Sequence, residues 1–380
     1  MRFSSRLKVR GVLFLMALVA LVASGLFQAS ATLASSSFLG PFHDVRTLTS
    51  TVPGNGDVNP YGLVVVHRSI GKLVRGDALI SNFNNSKNLQ GTGTTIVEIS
   101  PNGTLSLFAR INPAKLDGSC PGSVGLTTAL VVLRRGWVIV GSLPTTNGMS
   151  ATAEAGCLIV LNSEGHVVET FTGDGINGPW DMTVSDNGSE AALFVTNVLN
   201  GTVSASPNVV HEGTILRIDL KVPQQSDGVP SIDSMTMIGS GFAERTDPMA
   251  LVVGPTGVGL GFDGTLYVAD TVNSRIAAIS DALDRDSSDG TGDTVTHGKH
   301  VNGPLGLTIA PNGDILSVNG GDGNIVETTP DGHQVAVRLL DKTAPVPTGG
   351  AGTLFGVAVV PGDVGVYYVD DGNNTLRILN

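Results

Sequence analysis

The chain has 380 residues, of which 41% are hydrophobic and only 14% are charged, and its formal net charge is −11. Its Lys and Arg residues are sparse and unclustered. Nucleic-acid binding needs a basic surface that neutralises phosphates, so this composition argues against a nucleic acid as partner.

The amino terminus has the composition of an export signal. Four cationic residues between positions 2 and 10 precede the apolar run VLFLMALVALVA, and the small residues A-S-A follow at 29–31. This order is typical of a secretory signal peptide, which we assign to residues 1–31. The run is shorter than the roughly 20 residues of a spanning helix, although a retained anchor is the alternative. We expect a periplasmic or extracellular protein with no integral membrane segment after cleavage.

Six similar strand starts follow along the chain. In order they are NPYGLVVV at 59, SVGLTTAL at 123, GPWDMTVS at 178, DPMALVVG at 247, GPLGLTIA at 303 and TLFGVAVV at 353. After each start, a second apolar run ends in a small polar residue: Asn82, Ser142, Asn197, Asp270, Asn319 and Asp370. A third apolar run comes next. Short runs rich in β-branched residues and bounded by Gly, Asn, Asp or Pro are typical of strands joined by turns.

This repetition predicts an all-β chain, a six-bladed β-propeller formed by residues 44–380 as a single domain after a short linker at 32–43. Repeats of roughly 40 to 50 residues or more with several strands each are the signature of that fold. The sixth unit ends at Asn380 without a fourth strand, while the strand-like segment DVRTLTST at 44 precedes the first unit. We expect this amino-terminal strand to complete the last blade and close the ring.

The repeats resemble NHL repeats, most clearly in PLGLTIAPNGDILSVNGGDGNIVETTPDG and LGFDGTLYVADTVNSRIAAI. The resemblance covers nearly all of the chain after the signal and implies a propeller of the NHL and gluconolactonase-like group. In related propellers the small-molecule site lies near the central channel, on the face where the first strand of each blade begins and the second ends. Two rings of residues are expected there.

The first ring precedes the Gly-like position of each start and consists of Tyr61, Val124, Trp180, Met249, Leu305 and Phe355. In gluconolactonase-like enzymes this class of position supplies Asn and Asp ligands to a divalent metal, whereas all six residues here are apolar. Hard cations need oxygen ligands, so the resemblance does not extend to that metal site. The six residues are either strand packing or an apolar mouth for a hydrophobic ligand, in which Tyr61, Trp180 and Phe355 would bind it.

The second ring is the set of small polar residues that end the second strands. Such side chains cap a following turn by bonding to backbone N–H groups, or they form a polar rim that binds a ligand or a cation. Under the second interpretation the ligand-binding candidates are Asn82, Asn197, Asp270, Asn319 and Asp370. We predict no cofactor.

Two further features carry weaker chemical signals. Asp284, Asp286 and Asp289 lie in a glycine-containing loop and are candidate Ca²⁺ ligands, although the spacing departs from an EF-hand and a solvated surface loop is the favoured interpretation. Cys120 and Cys157 are the only cysteines of an exported chain, and they form either a disulfide or a pair of buried thiols.

These features predict an exported binding module for a small molecule or an extracytoplasmic protein. The alternatives are a metal-dependent, lactonase-like hydrolase or lyase and a purely structural envelope protein. Fold alone does not decide among them.

Overall fold

Strand pairing organises almost the whole chain. The computed structural model describes residues 37–116, 120, 123–343 and 351–380, so the predicted signal peptide lies outside the described residues. Among the described residues, the only α-helix is the four-residue α1, Thr202–Ala205, and no helix there has the length and apolarity needed to span a bilayer. Two 3₁₀ turns, Pro113–Lys115 and Ser150–Thr152, complete the helical structure of this part.

Six antiparallel sheets form the blades. The strands of the first three are β2 Val58–Val65, β3 Ala78–Asn84, β4 Thr95–Ile99 and β5 Leu105–Arg110; β6 Leu126–Val132, β7 Val138–Ser142, β8 Cys157–Leu161 and β9 Val167–Phe171; and β10 Pro179–Asp186, β11 Glu190–Asn197, β12 Val210–Lys221, β13 Ser231–Asp247 and β14 Leu251–Val253.

The last three blades follow the same order. Their strands are β15 Pro255–Leu260, β16 Leu266–Asp270, β17 Arg275–Ile279 and β18 Asp293–His297; β19 Pro304–Ile309, β20 Ile315–Asn319, β21 Asn324–Thr328 and β22 Gln334–Leu339; and β23 Leu354–Val359, β24 Val366–Asp370 and β25 Thr375–Leu379, with β1 Val45–Ser50 added at the outside. The predicted all-β, six-bladed propeller is confirmed.

The ring is closed by contacts between first strands. Each first strand contacts the first strands of the two neighbouring blades, and β23 returns to β2. At the outside of blade six, β1 pairs antiparallel with β25, with Val45 opposite Leu379 and Ser50 opposite Thr375. The amino-terminal strand therefore supplies the fourth strand that the end of the chain lacks, as the sequence predicted.

Packing explains why the middle strands are apolar on both faces. In β3, β4, β7 and β8 every residue is buried, whereas the outer strands β5 and β9 contain exposed or half-buried residues. Each blade is covered on both faces by its neighbours, so its middle strands are shielded from water. Apolar clusters between adjacent blades form the core.

The predicted linker at 32–43 is described from residue 37 onward, and there it packs against the propeller. The carboxylate of Glu327 accepts hydrogen bonds from the backbone N–H of Phe38 at 2.6 Å and of Leu39 at 2.8 Å. Leu39 is fully buried between blades five and six. Residues 37–43 are therefore fixed to the propeller.

Candidate functional site

The channel has an upper end, where the first strands begin, and a lower end, where they finish. At the upper end, the first strand of each blade begins opposite the polar residue that ends the second strand. The residues immediately after these paired positions form the actual first ring: Tyr61, Thr127, Trp180, Thr256, Leu305 and Phe355.

The prediction of the first ring was therefore wrong at two positions, Val124 and Met249. Val124 lies before β6, since the bulge of that strand makes Leu126 the residue opposite Ser142. Met249 lies in the turn between β13 and β14, because the segment DPMALVVG precedes the true first strand of blade four instead of forming it. Buried threonines occupy both positions, so the expectation of six apolar residues is incorrect.

Aromatic rings fill the upper end of the channel. The ring of Tyr61 stacks on Phe355 with centroids 3.9 Å apart and on Phe83 at 4.5 Å. Trp180 stacks on Phe355 at 5.9 Å. Tyr61, Trp180 and Phe355 are each no more than 2% exposed, so they pack on one another and do not line an open mouth.

A segment that we call the strap, residues 247–254, covers this aromatic stack. The indole N–H of Trp180 donates to the carbonyl of Val252 at 3.1 Å, and the hydroxyl of Tyr61 donates to the carbonyl of Met249 at 3.2 Å. The strap also holds the fully buried Leu251 at φ +66°, a backbone region that non-glycine residues seldom adopt.

Loops of other blades hold the strap from its far side. The hydroxyl of Ser150 donates to the carbonyl of Leu251 at 2.7 Å, and the side-chain amide of Gln90 donates to the carbonyl of Pro248 at 2.8 Å. One carboxylate oxygen of Asp247 accepts the backbone N–H of Met249, of Ala250 and of Ala351. Blades one, two, three and six are thereby joined across the upper end.

The predicted polar ring is completely buried. Every member, namely Asn82, Ser142, Asn197, Asp270, Asn319 and Asp370, has no exposed surface. These side chains bond to nearby turns: Asn197 accepts the N–H of Asn177 at 2.9 Å, and Asn319 donates to the carbonyl of His300 at 2.6 Å. Both contacts join the polar ring to the loop before the first strand of the same blade, and neither is the predicted cap on the turn that follows.

The two aspartates of this ring pair with arginines of the same blade. Asp270 accepts from the guanidinium of Arg275 at 3.0 Å, and Asp370 accepts from that of Arg377 at 3.0 Å. Their charges are neutralised within the blade, so they are not directed at the channel as free ligands.

The weaker candidates are dispersed or structural. Asp284 and Asp286 are exposed, and Asp289 pairs with Arg285 at 2.5 Å. Cys120 and Cys157 are joined by a disulfide, which fastens the segment before blade two to the start of β8.

Below the aromatic stack the channel contains a cavity of about 560 Å³. All six first strands line it, and most of the lining side chains are aliphatic. Because each first strand is the edge of its sheet, backbone N–H and C=O groups without a strand partner also face this space. The lower end lies near Phe262, which is 79% exposed.

Asp181 is the polar group at the deep end of this cavity. It follows Trp180 on β10 and is 8% exposed. Its carboxyl oxygens accept the backbone N–H of Met182 at 2.8 Å and of Val258, on the next blade, at 3.3 Å. Burial raises the pKa of Asp181 to about 8, although both N–H groups act in the opposite direction. The group is therefore mostly protonated at neutral pH.

Thr128 lines the cavity on β6 of the neighbouring blade, at the position equivalent to that of Asp181 on β10. It is 4% exposed, and its hydroxyl has no hydrogen-bond partner. Several buried hydroxyls in the described residues have no protein partner, and that of Thr128 is the one whose residue lines this cavity, where a bound molecule could supply the partner. Asp181 and Thr128 are the residues that we assign to the candidate site.

The sequence contained a signal for Asp181 that the analysis of apolar positions missed. The residue in its place is glycine in four other blades, Gly62, Gly257, Gly306 and Gly356. A Cβ atom on Gly306 would lie 1.9 Å from the carbonyl oxygen of Phe355, and one on Gly257 would lie 2.3 Å from that of Leu305. Close approach of the next blade thus requires glycine there, and a carboxyl side chain at the same position of blade three is a local exception.

The described residues do not assemble a donor set for a metal. In the ranges that the structure describes, no three His, Cys, Asp or Glu side chains come together in a group that could hold an ion. The cavity offers one deep carboxyl and a threonine hydroxyl, whereas Ca²⁺ takes six to eight oxygen ligands. The residues present do not fit the divalent metal site that the resemblance to gluconolactonases implies.

Comparison with solved structures shows the same fold at low sequence identity. A gluconolactonase from Xanthomonas campestris is 15% identical with a TM-score of 0.52, and 90% of each chain is covered. A streptogramin B lyase is 15% identical with a TM-score of 0.52, covering 89% of this chain and 98% of its own. A luciferin-regenerating enzyme is 11% identical with a TM-score of 0.56, covering 89% and 95%.

No family model and no curated protein matches the chain. The NHL resemblance therefore depends on the sequence repeats alone. What the comparisons show is that this chain is similar in fold to gluconolactonase-like and lyase propellers.

Proposed function

We propose that the chain is an exported propeller that binds a small, mainly apolar molecule in the lower channel cavity, with Asp181 fixing its polar end. The observation that carries this proposal is the cavity itself, about 560 Å³ in volume and lined by all six first strands. Small-molecule sites commonly measure 300 to 1,000 Å³ and combine apolar walls with a few convergent polar groups.

Export is supported by the disulfide as well as by the predicted signal peptide. Structural disulfides persist in oxidising compartments and are rare in the cytosol. The bond between Cys120 and Cys157 therefore agrees with a periplasmic or extracellular location.

The channel can be tested by filling it. Ala358 lines the cavity, so Ala358→Trp should occupy part of its volume. Val335, on the outer strand of blade five, is 44% exposed, and Val335→Trp is a matched control that adds an indole far from the channel. A fragment collection would be screened by ligand-observed NMR against the wild type and both variants.

We expect fragments that bind the wild type and the Val335→Trp variant but not the Ala358→Trp variant. Fragments that bind all three proteins equally, or the absence of any bound fragment, would contradict the proposal. A protein partner outside the cytoplasm is the alternative, and its binding would be insensitive to Ala358→Trp.

A further inference from the structure

We infer that the ligand of the channel is an amphipathic amine, whose ammonium group lies between Asp181 and Thr128 and whose apolar body lies along the cavity. This inference rests on the proposed function and adds the chemical class of the ligand.

The first argument is the kind of polar group present at the deep end. An ammonium group carries three N–H donors and no acceptor. Asp181 offers carboxyl oxygens that accept only two backbone N–H groups, and Thr128 offers a hydroxyl oxygen with no partner.

The second argument is the lack of a resident cation near Asp181. The strands packed around it are β6, β11 and β15, and the only charged residue in these three strands is Glu190, at the start of β11. Among the residues that line the cavity, the other charged or titratable side chains are His67, Arg134 and Asp186. All three lie at the lower rim of the cavity. Asp186, for example, is five residues beyond Asp181 on β10, which corresponds to about 17 Å at the rise of a strand. The carboxyl group of Asp181 therefore has no cationic partner among these residues and is available to a cationic ligand.

The third argument is the character of the remaining wall. Between the deep end and the rim the side chains include Leu63, Leu130, Val258, Leu307 and Val357. Burial of apolar surface against them stabilises a bound hydrocarbon. A hydrocarbon body with one terminal ammonium therefore matches both parts of the cavity.

The inference makes a specific prediction about protons. An alkylammonium stays charged at neutral pH, with a pKa near that of lysine at about 10.4. Its partner must be ionised, whereas burial keeps Asp181 mostly protonated below about pH 8. Binding should then release a proton, and affinity should rise close to tenfold per pH unit between about pH 6 and 7.5 and level off above about 8.

The test uses three probes of equal chain length: hexylamine, 1-hexanol and hexanoate. Each is titrated calorimetrically into the mature wild type and into the Asp181→Asn and Thr128→Val variants, in buffers of different ionisation enthalpy. We expect hexylamine to bind the wild type at least tenfold more tightly than hexanol and to release a proton. Asp181→Asn should remove both the preference and the pH dependence.

Thr128→Val provides a second variant that retains the fold, since it removes a hydroxyl with no partner. It should weaken hexylamine about three- to tenfold, as expected for one hydrogen bond. Equal affinities for hexylamine and hexanol, an unchanged hexylamine affinity in Asp181→Asn, or displacement of hexylamine by potassium chloride would overturn the amine assignment.

Failure of this inference is distinguishable from failure of the proposed function. If none of the three probes binds while the fragments of the channel-filling experiment do, the amine class is wrong and the cavity remains a binding site. If Ala358→Trp leaves every interaction unchanged, the cavity itself is not the site.

Discussion

The two ends of the central channel are built from the same six strands yet differ in what they can do. At the upper end, large rings stack within the channel and the strap bonds to them from above. At the lower end, smaller aliphatic side chains leave a cavity around a single deep carboxyl. A symmetric scaffold is thus closed at one end and open at the other.

The difference shows how a repeat fold acquires a site. Positions that recur in every blade, such as the buried polar ring, bond to neighbouring loops and so stabilise the fold. The features that distinguish the ends are exceptions to the repeat: the strap, which belongs to blade three alone, and Asp181, which stands where four blades have glycine. Residues that recur in every blade are explained by the needs of the fold. We therefore expect functional residues at the positions where one blade departs from the repeat.

The largest effect should come from opening the upper end. Trp180→Ala removes a ring that is 2% exposed and also its hydrogen bond to the strap. Replacing a buried aromatic residue by alanine costs about 3–5 kcal/mol of unfolding free energy. Urea unfolding followed by circular dichroism would measure it.

The control for this prediction is Phe262→Ala at the exposed lower rim. Phe262 is 79% exposed, so its removal should change the unfolding free energy by less than about 0.5 kcal/mol. Equal losses in the two variants would contradict the contrast between a closed and an open end.

A smaller effect is expected from loosening the strap alone. Asp247→Ala leaves the N–H groups of Met249, Ala250 and Ala351 without their acceptor. A lost buried acceptor costs about 1–3 kcal/mol. Hydrogen exchange should also show faster exchange at Met249 and Ala250, with unchanged protection in the distant strand β21.

Asp247→Asn is the matched variant, since its amide oxygen can still accept from the same N–H groups. It should restore most of the stability and the protection. If the alanine variant exchanges as slowly as the wild type, Asp247 does not hold the strap in place.

Much of the fold could be predicted from the sequence, because each blade repeats the same alternation of apolar runs and turn residues. The error at Met249 has a physical reason: DPMALVVG has the composition of a first strand, and only the pairing of Pro255 with Asp270 shows that the true strand starts later. The candidate site could not be predicted in the same way. Burial of Tyr61 and the isolation of Asp181 depend on how loops and neighbouring blades meet in space.

A further expected effect is a change of stability with pH that depends on Asp181. In the folded protein the pKa of Asp181 is raised to about 8, whereas in the unfolded chain it is about 3.9. The folded state therefore holds a proton that the unfolded state has lost, and stability falls as pH rises through this window. The slope attributable to this one group is about 1.4 kcal/mol per pH unit between about pH 5 and 7.5.

Asp181→Asn isolates this contribution, since other raised groups such as Glu244 and Asp314 remain in both proteins. The difference in unfolding free energy between variant and wild type, measured in urea at several pH values, should shift steadily in favour of the variant as pH increases. A difference that stays constant with pH would show that Asp181 is not a buried, neutral acid.

The most direct test of the central claim is chemical access to the two ends of the channel. Both native cysteines are in the disulfide, so an introduced cysteine supplies the only thiol. Ala358→Cys lies in the lower cavity, and Ala250→Cys lies in the strap, where the alanine is 1% exposed. The two variants add the same sulfur atom to the same residue type, and their reaction with a small methanethiosulfonate would be followed by mass spectrometry.

The structure predicts rapid modification of Ala358→Cys and at least a hundredfold slower modification of Ala250→Cys, because opening the buried strap costs about 3 kcal/mol or more of local unfolding free energy. Equal rates at the two positions, or faster reaction at Ala250→Cys, would contradict a channel that is closed above and open below.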